Sequence, residues 1–287
     1  MTASPRASAL ACLLAGGCAI AFAPIFVRFS DTGPMASAFW RTALAAPVLW
    51  GWAWRSSASG PTRAFTPLIG AGLLFAGDLA VWHWAIAYTS VANATLLANL
   101  APIFVTAAGW LLFRQRVTSI FLGGMLTAII GMFVLVGPNF AAGGSRFWGD
   151  GLGALSAVFY AGYMLAVKSA RDAGVPTVRL MAWSTSLTAI TLLPLALSFP
   201  QPFLPSSAGG WLVLLGLAMV NQVTGQGLIA YAFAHLPASL SSVSLLIQPV
   251  MATVFAWLLL NEPIGWSGIV GGSIVLAGIW VARWGSP

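Results

Sequence analysis

Apolar runs of about twenty residues follow one another along the whole chain, separated only by short polar breaks, and nothing else in the sequence constrains the fold as tightly. A helix needs about 20 mostly apolar residues to cross the hydrocarbon core of a bilayer. Cutting at charges and at Gly/Pro/Ser clusters gives ten such segments, the first five at 7–27, 34–54, 66–88, 92–113 and 118–137. The second five cover 148–168, 177–198, 209–233, 238–260 and 264–283. Only 6% of the residues are charged, whereas a soluble domain carries about 25% because its surface must face water. An all-α integral membrane protein with ten transmembrane helices is therefore expected.

The remaining composition excludes several alternatives. The net charge of +7 comes from basic residues placed singly or in pairs between apolar runs, so nucleic acid is not an expected partner. Cys12 and Cys18 lie six residues apart on one expected helix, about 9 Å along its axis, which is too far for a disulfide. With no His or carboxylate beside them they form no metal site, and no cofactor is expected. Arg6 followed by Ala7–Ala23 resembles a signal peptide, and Leu14-Ala15-Gly16-Gly17-Cys18 loosely imitates a lipoprotein cleavage box. The leucine stands one place too early, however, and the apolar run continues to Val27, so a first transmembrane helix is the better reading. No DDxxD, HExxH, GxGxxG or P-loop pattern suggests an enzyme. No ring of charges or filter-like segment suggests a channel.

Orientation follows from the distribution of cations. With the N-terminus in the cytoplasm, that side receives Arg6, Arg55, Arg63, Arg114, Arg116, Lys168, Arg171, Arg179 and Arg283, and the other only Arg28 and Arg146. Both termini are thus expected to be cytoplasmic. The two halves also repeat. At an offset of 147, Pro47 falls on Pro194, Ala87 on Ala234, Pro102 on Pro249, Gly124 on Gly271 and Gly131 on Gly278, while Trp110-Leu111-Leu112 falls on Trp257-Leu258-Leu259. Segments one and six fit this offset poorly. A repeat of five helices, an odd number, must insert its second copy upside down. The expected organisation is a first repeat over 1–137, a linker over 138–147 and an inverted repeat over 148–287. Inverted repeats meeting near the midplane are the architecture of alternating-access transporters.

Short motifs add a resemblance. Trp84-Ala85-Ile86-Ala87-Tyr88-Thr89-Ser90-Val91-Ala92 and Tyr231-Ala232-Phe233-Ala234-His235-Leu236-Pro237-Ala238-Ser239 resemble the helix-turn-helix signature of the drug/metabolite transporter superfamily. Leu258-Leu259-Leu260-Asn261-Glu262-Pro263 matches that family's glutamate-bearing turn, whereas Arg114-Gln115-Arg116 has Gln where the family usually has Glu. Arg41 matches an arginine common in the family's second helix. The resemblance spans the chain and implies a ten-helix EamA-type exporter, most like the amino-acid exporters, those for aromatic amino acids included.

Ionisable groups inside a membrane are costly and mark functional suspects. Asp78 is the one carboxylate near mid-membrane in its segment, with Trp82 one turn on. It could receive a substrate amine or a coupling proton, or serve as packing glue between helices. His83 lies about 140° around the same helix, so a local Asp–His relay is not expected, and His83 could line the cavity or bond to a neighbouring helix. Arg41 could snorkel to the interface, anchor a substrate carboxylate or act as a gate. Asn99, Gln222, Gln226 and Gln248 could outline a polar cavity, with Pro102 and Pro249 as hinges in the fourth and ninth helices. Tyr160, Tyr163 and Trp183 could supply aromatic walls. Gly124, Ala128 and Gly131, with Gly268, Gly272 and Gly278, suit close packing of a scaffold.

A zwitterionic amino acid needs a partner for each end, which Asp78 and Arg41 could provide. Phosphorylated substrates would need several cations in the site, and only Arg41 is embedded well away from a loop. A proton-coupled exporter of cationic drugs or other metabolites is the alternative. The lipid bilayer and a small-molecule substrate are the expected partners, a monomer suffices, and the eleven arginines against one lysine suit a bacterial inner membrane.

Overall fold

The computed structural model describes residues 5–56, 64–86, 88–89, 91–137 and 146–286. Arg63, Ala87 and residues 138–145 of the expected linker lie outside the described residues. Among those described there is helix and no strand. Ten helical segments follow in order: α1 (Pro5–Ile20 and Ala23–Phe29), α2 (Pro34–Arg55), α3 (Phe65–Ile86), α4 (Val91–Ala98 and Ala101–Phe113) and α5 (Ser119–Val136), then α6 (Arg146–Asp172), α7 (Thr177–Ser198), α8 (Ala208–Ala232), α9 (Ala238–Ser244 and Ile247–Leu260) and α10 (Trp266–Gly285). Nine stretches among the described residues are long and apolar enough to cross a membrane. The helix outside that set is α2, which is 22 residues long and carries Arg41 and Arg55. The chain is a multi-pass membrane protein. Its large apolar side chains point outward where lipid would be: Ile130 and Leu126 on α5, Ile190 on α7 and Leu212 on α8 are all exposed.

Proline sets the irregularities. Pro24 has no N–H, so Ile20 O loses its helical donor and the chain turns at Ala21–Phe22, where Ala19 O keeps a longer bond from Phe22 N at 3.3 Å. Asn221 of α8 fills that gap, donating from Nδ2 to Ala19 O at 2.8 Å and Ile20 O at 3.0 Å. In α4 the break falls at Asn99–Leu100, just before Pro102, and in α9 at Leu245–Leu246, just before Pro249. Both expected hinge prolines thus sit at the start of a helix's second piece. The fourth and ninth segments are therefore two helical pieces each. In α8, residues Leu217–Gln226 wind as a π-helix bounded by Gly216 and Gly227, which the apolar pattern does not indicate.

Packing joins helices distant in sequence. The helix α5 lies along α10, α2 along α7, α3 and α4 along α6, and α1 along α8 and α9. Two groups result, α3–α4–α6 and α1–α8–α9, with the α5–α10 pair beside them. At the α5–α10 contact a Cβ on Gly124, Gly131, Gly271, Gly278 or Gly285 would meet the backbone of the facing helix. The small-residue expectation holds for Gly124, Gly131 and Gly278. Gly268 and Gly272 instead meet side chains, Ile264 and Thr253 for the first and Val250 and Leu135 for the second, so the close-packing stripe of α10 is Gly271, Gly278 and Gly285. Outside the spans, Asp31 braces the α1–α2 loop to the α7–α8 loop: its Oδ2 accepts from Ser206 N (3.0 Å), Ser206 Oγ (2.8 Å) and Ser207 Oγ (3.1 Å). These bonds hold its carboxyl below the usual carboxylate range.

Candidate functional site

Between the two helix groups lies a cavity of about 150 Å³ with mostly apolar walls. That space suits a group about the size of one benzene ring. The broken helices line it where they break: Ile20, Pro24 and Val27 from α1, Asn99 from α4, and Gln248, Pro249 and Ala252 from α9. Freed backbone and polar side chains are tolerated at membrane depth where they face a cavity, and this is such a place. The cavity reaches Val27 and Ser37 near the end of the bundle opposite the described termini.

Arg41 of α2 is buried, not snorkelled. Its Nε donates to Gln222 Oε1 at 3.1 Å, and Gln222 Nε2 in turn donates to Thr185 Oγ1 at 3.0 Å. The guanidinium lies 5.7 Å from the centre of the Phe75 ring, over its face. One face of the cation is thus held by a ring and one edge by an amide, while the side chain still lines the cavity. Gln222 belongs to the site as the residue that aims Arg41, and does not itself line the cavity.

Asp78 of α3 lines the same cavity and accepts from Ser156 Oγ at 2.6 Å. It shares that lining with Arg41. Trp82 and His83 also line the cavity, although His83 stands about 140° around α3 from Asp78. The reason is that the cavity wraps α3: Phe75, Asp78, Leu79, Trp82 and His83 occupy an arc of about 140° at 100° per residue. His83 donates from Nδ1 to Leu79 O at 2.6 Å within its own helix, which fixes the ring edge-on to Trp82 at 4.8 Å between centroids.

The remaining candidates divide. Asn99, Gln226 and Gln248 line the cavity, and so does Tyr160, stacked on Tyr163 at 6.0 Å between ring centroids. Tyr163 is buried one layer behind, stacked on Phe75 at 4.6 Å and donating to Gln226 Oε1 at 3.2 Å. Trp183 is a correction: it is 42% exposed on the outer face of α7, edge-on to Trp50 at 5.4 Å, and lies away from the cavity. On α7 it is the hydroxyls of Ser184, Thr185 and Thr188 that turn inward, so the ring is left on the outside. Nothing in the sequence marks Ser156 or Thr185. Lone hydroxyl residues in an apolar helix carry no pattern, and only their partners across the bundle reveal them. Among the described residues no group of three His, Cys, Asp or Glu side chains could hold a metal.

A profile of the EamA-like transporter family matches residues 7–137 and again 147–284. The pseudopaline exporter CntI of Pseudomonas aeruginosa is 28% identical over 207 residues, 71% of this chain and 70% of that one. A probable terminal-alkyne amino-acid exporter of Streptantibioticus cattleyicolor is 28% identical over 200 residues, 69% of this chain and 65% of its own. An uncharacterised transporter of Archaeoglobus fulgidus is 26% identical over 273 residues, 90% of this chain and 91% of its own. A solved crystal structure superposes with a TM-score of 0.84 at 18% identity, covering 97% of both chains, which shows the shared fold.

Proposed function

The chain belongs to the EamA-like transporter family, and from that premise we propose that it exports small zwitterionic metabolites, amino acids among them, by alternating access. The observation that carries this is the placement of one cation and one carboxylate, Arg41 and Asp78, in a single ring-sized cavity with apolar and aromatic walls. An amino acid presents a carboxylate to the first, an amine to the second and its side chain to Phe75, Trp82 and Tyr160. The exporter names borne by the relatives from Pseudomonas and Streptantibioticus are in keeping with it.

The proposal includes the inverted repeat. Exchanging each helix for its counterpart five places away maps the packing onto itself: α3 on α6 becomes α8 on α1, α4 on α6 becomes α9 on α1, and the pairs α2–α7 and α5–α10 map to themselves. It also includes cytoplasmic termini, on the nine-to-two bias of cations, a bacterial inner-membrane location and a monomeric transport unit. In that orientation the cavity faces outward.

The test is counterflow of labelled amino acids in proteoliposomes with no ion gradient imposed. Saturable, competitor-sensitive uptake is expected. Asp78 among aromatic rings is also what an organic cation would need. Absence of amino-acid uptake in vesicles that respond to a pH gradient and a cationic dye would replace this reading with a proton-coupled cation exporter.

Arg41→Ala provides a second check. A hydrogen bond to a charged group contributes about 1.5–3 kcal/mol, so affinity for carboxylate-bearing substrates should fall about tenfold or more. Substrates with the carboxylate blocked as an amide should lose much less. Equal losses for acid and amide, measured by competition on folded protein, would remove the anchor role.

A further inference from the structure

Along the second piece of α4, Ile103, Ala107 and Trp110 recur every three to four residues and form one exposed stripe that ends at Arg114. Leu122 and Met125 of α5 stand opposite, and a groove of about 900 Å³ lies between the two helices. The groove exists because this piece of α4 packs on α6 and on the start of α9 rather than along α5. Thr106 Oγ1 reaches across to Met125 Sδ at 3.5 Å, and both residues are buried, so they make its floor. Ile103 and Arg114 are eleven residues apart, about 16 Å along a helix. That is the depth of one leaflet in a hydrocarbon core about 30 Å thick.

At the end of the bundle that bears the described termini, the groove runs into a basic recess of about 520 Å³. Gln115, Arg116 and Thr118 line both spaces. Arg6 of α1, Lys168 of α6 and His235 of the α8–α9 turn join Arg116 in the recess wall, and Arg114 stands in the groove beside it. They face one carboxylate, Asp172, whose Oδ1 already accepts from Lys168 Nζ at 2.6 Å. The turn itself does not require these cations. Its counterpart at the offset of 147 is Asn261-Glu262-Pro263, and Asn261 holds the same left-handed conformation, with φ 54° against 50° at Arg114. Asparagine suits that conformation better than arginine does. In the counterpart both arginines are gone, and Glu262 is paired with Arg28. The geometry of the turn therefore leaves Arg114 and Arg116 unexplained, whereas an anion at the end of the groove would account for them.

We propose that groove and recess together bind one anionic phospholipid from the leaflet at this end, with an acyl chain laid between α4 and α5 and the phosphate among Arg114, Arg116 and Lys168. The two halves of the site select for such a ligand. A soluble anion satisfies the recess and has no use for an apolar groove one leaflet deep. A zwitterionic phospholipid supplies the same chain, but its headgroup cation is brought up to a basic wall. Basic pockets between membrane helices on the cytoplasmic side are a known setting for anionic headgroups, and with cytoplasmic termini this recess lies on that side. The seated headgroup touches α1, α6, the turn after α4 and the α8–α9 turn together, so it ties this end of the bundle and stabilises the fold. The site lies apart from the central cavity and does not depend on what the protein carries.

The test titrates the full chain, in neutral detergent, with phosphatidylglycerol or phosphatidylcholine of identical chains and counts bound lipid by native mass spectrometry. Tighter binding of phosphatidylglycerol is expected. Arg114→Asn with Arg116→Gln should weaken it about fivefold for each cation lost, and so about twenty-five-fold together, with phosphatidylcholine binding unchanged. The asparagine preserves the turn, because Asn261 already holds that conformation in the counterpart. Ala107→Trp fills the groove from its exposed wall and should weaken phosphatidylglycerol binding with every cation in place. Thermal unfolding of the wild-type protein supplies a reading that needs no variant: phosphatidylglycerol should raise Tm more than phosphatidylcholine, and inorganic phosphate should not. Equal binding of the two lipids, an undiminished preference in the double variant, or wild-type affinity in Ala107→Trp overturns the proposal. So does inorganic phosphate that stabilises as well as the lipid, which would make the recess a soluble-anion site. No readout uses a transported substrate, so failed amino-acid counterflow leaves the lipid site standing, and a lost lipid preference leaves the transport reading untouched.

Discussion

Replacing Asp78 by asparagine is expected to leave the fold intact and to reduce net transport about tenfold or more, the scale of a lost hydrogen bond to a charged group. Asparagine has the same shape, and its carbonyl can still accept from Ser156 Oγ, which now lies 2.6 Å from the carboxylate. What disappears is the carboxyl that can carry a negative charge in the cavity it shares with Arg41. Two roles for that charge make different predictions. If Asp78 holds the substrate amine, counterflow and net transport both fall, and amine-free analogues are spared. If Asp78 carries a proton, exchange of substrate for substrate continues without an ion gradient while uphill transport driven by a pH gradient is lost. Wild-type rates in both assays would remove Asp78 from the mechanism altogether. Ser156→Ala should give a weaker version of the same defect, because the carboxylate then loses the donor that fixes its direction.

Much of this is legible in the sequence, for identifiable reasons. Lipid demands a helix of about 20 apolar residues wherever the chain crosses, so the run lengths give the helix count. A carboxylate and a guanidinium inside such runs are costly, so Asp78 and Arg41 stand out on residue type and position alone, and both line the cavity. What the sequence does not provide is direction around a helix whose neighbours are unknown. Trp183 and Tyr160 look alike as aromatic residues in adjacent helices, yet one is 42% exposed on the outside and the other lines the cavity. The helical phase separates Asp78 from His83 only for a flat site, whereas the cavity wraps α3. The break in α1 has a visible cause in Pro24, but its partner Asn221 lies about 200 residues away on a π-helical stretch that no local pattern marks. Arg41 and Gln222 are likewise joined only by tertiary packing.

Gly124→Leu and Gly123→Leu are adjacent substitutions in α5 with opposite expected outcomes. A Cβ on Gly124 would run into the Ala282 backbone of α10, and α10 cannot yield without losing the Gly278–Ala128 and Gly271–Leu135 approaches further along. A Cβ on Gly123 meets nothing within 4 Å. Overpacking a tight contact costs typically about 1–3 kcal/mol and occasionally more, and backbone-to-backbone contact leaves no flexible side chain to absorb it. Gly124→Leu should therefore lower the yield of monodisperse protein severely, measured by size-exclusion chromatography in detergent, while Gly123→Leu behaves as wild type. Membrane helices associate through such close packing, since lipid is as apolar as their side chains. If the α5–α10 pair is a fixed scaffold beside two groups of moving helices, Gly124→Ala should reduce thermal stability more than it alters substrate affinity in the protein that does fold. Equal stability of Gly123→Leu and Gly124→Leu would mean that the two helices are not held at this distance, and the scaffold role would go with it.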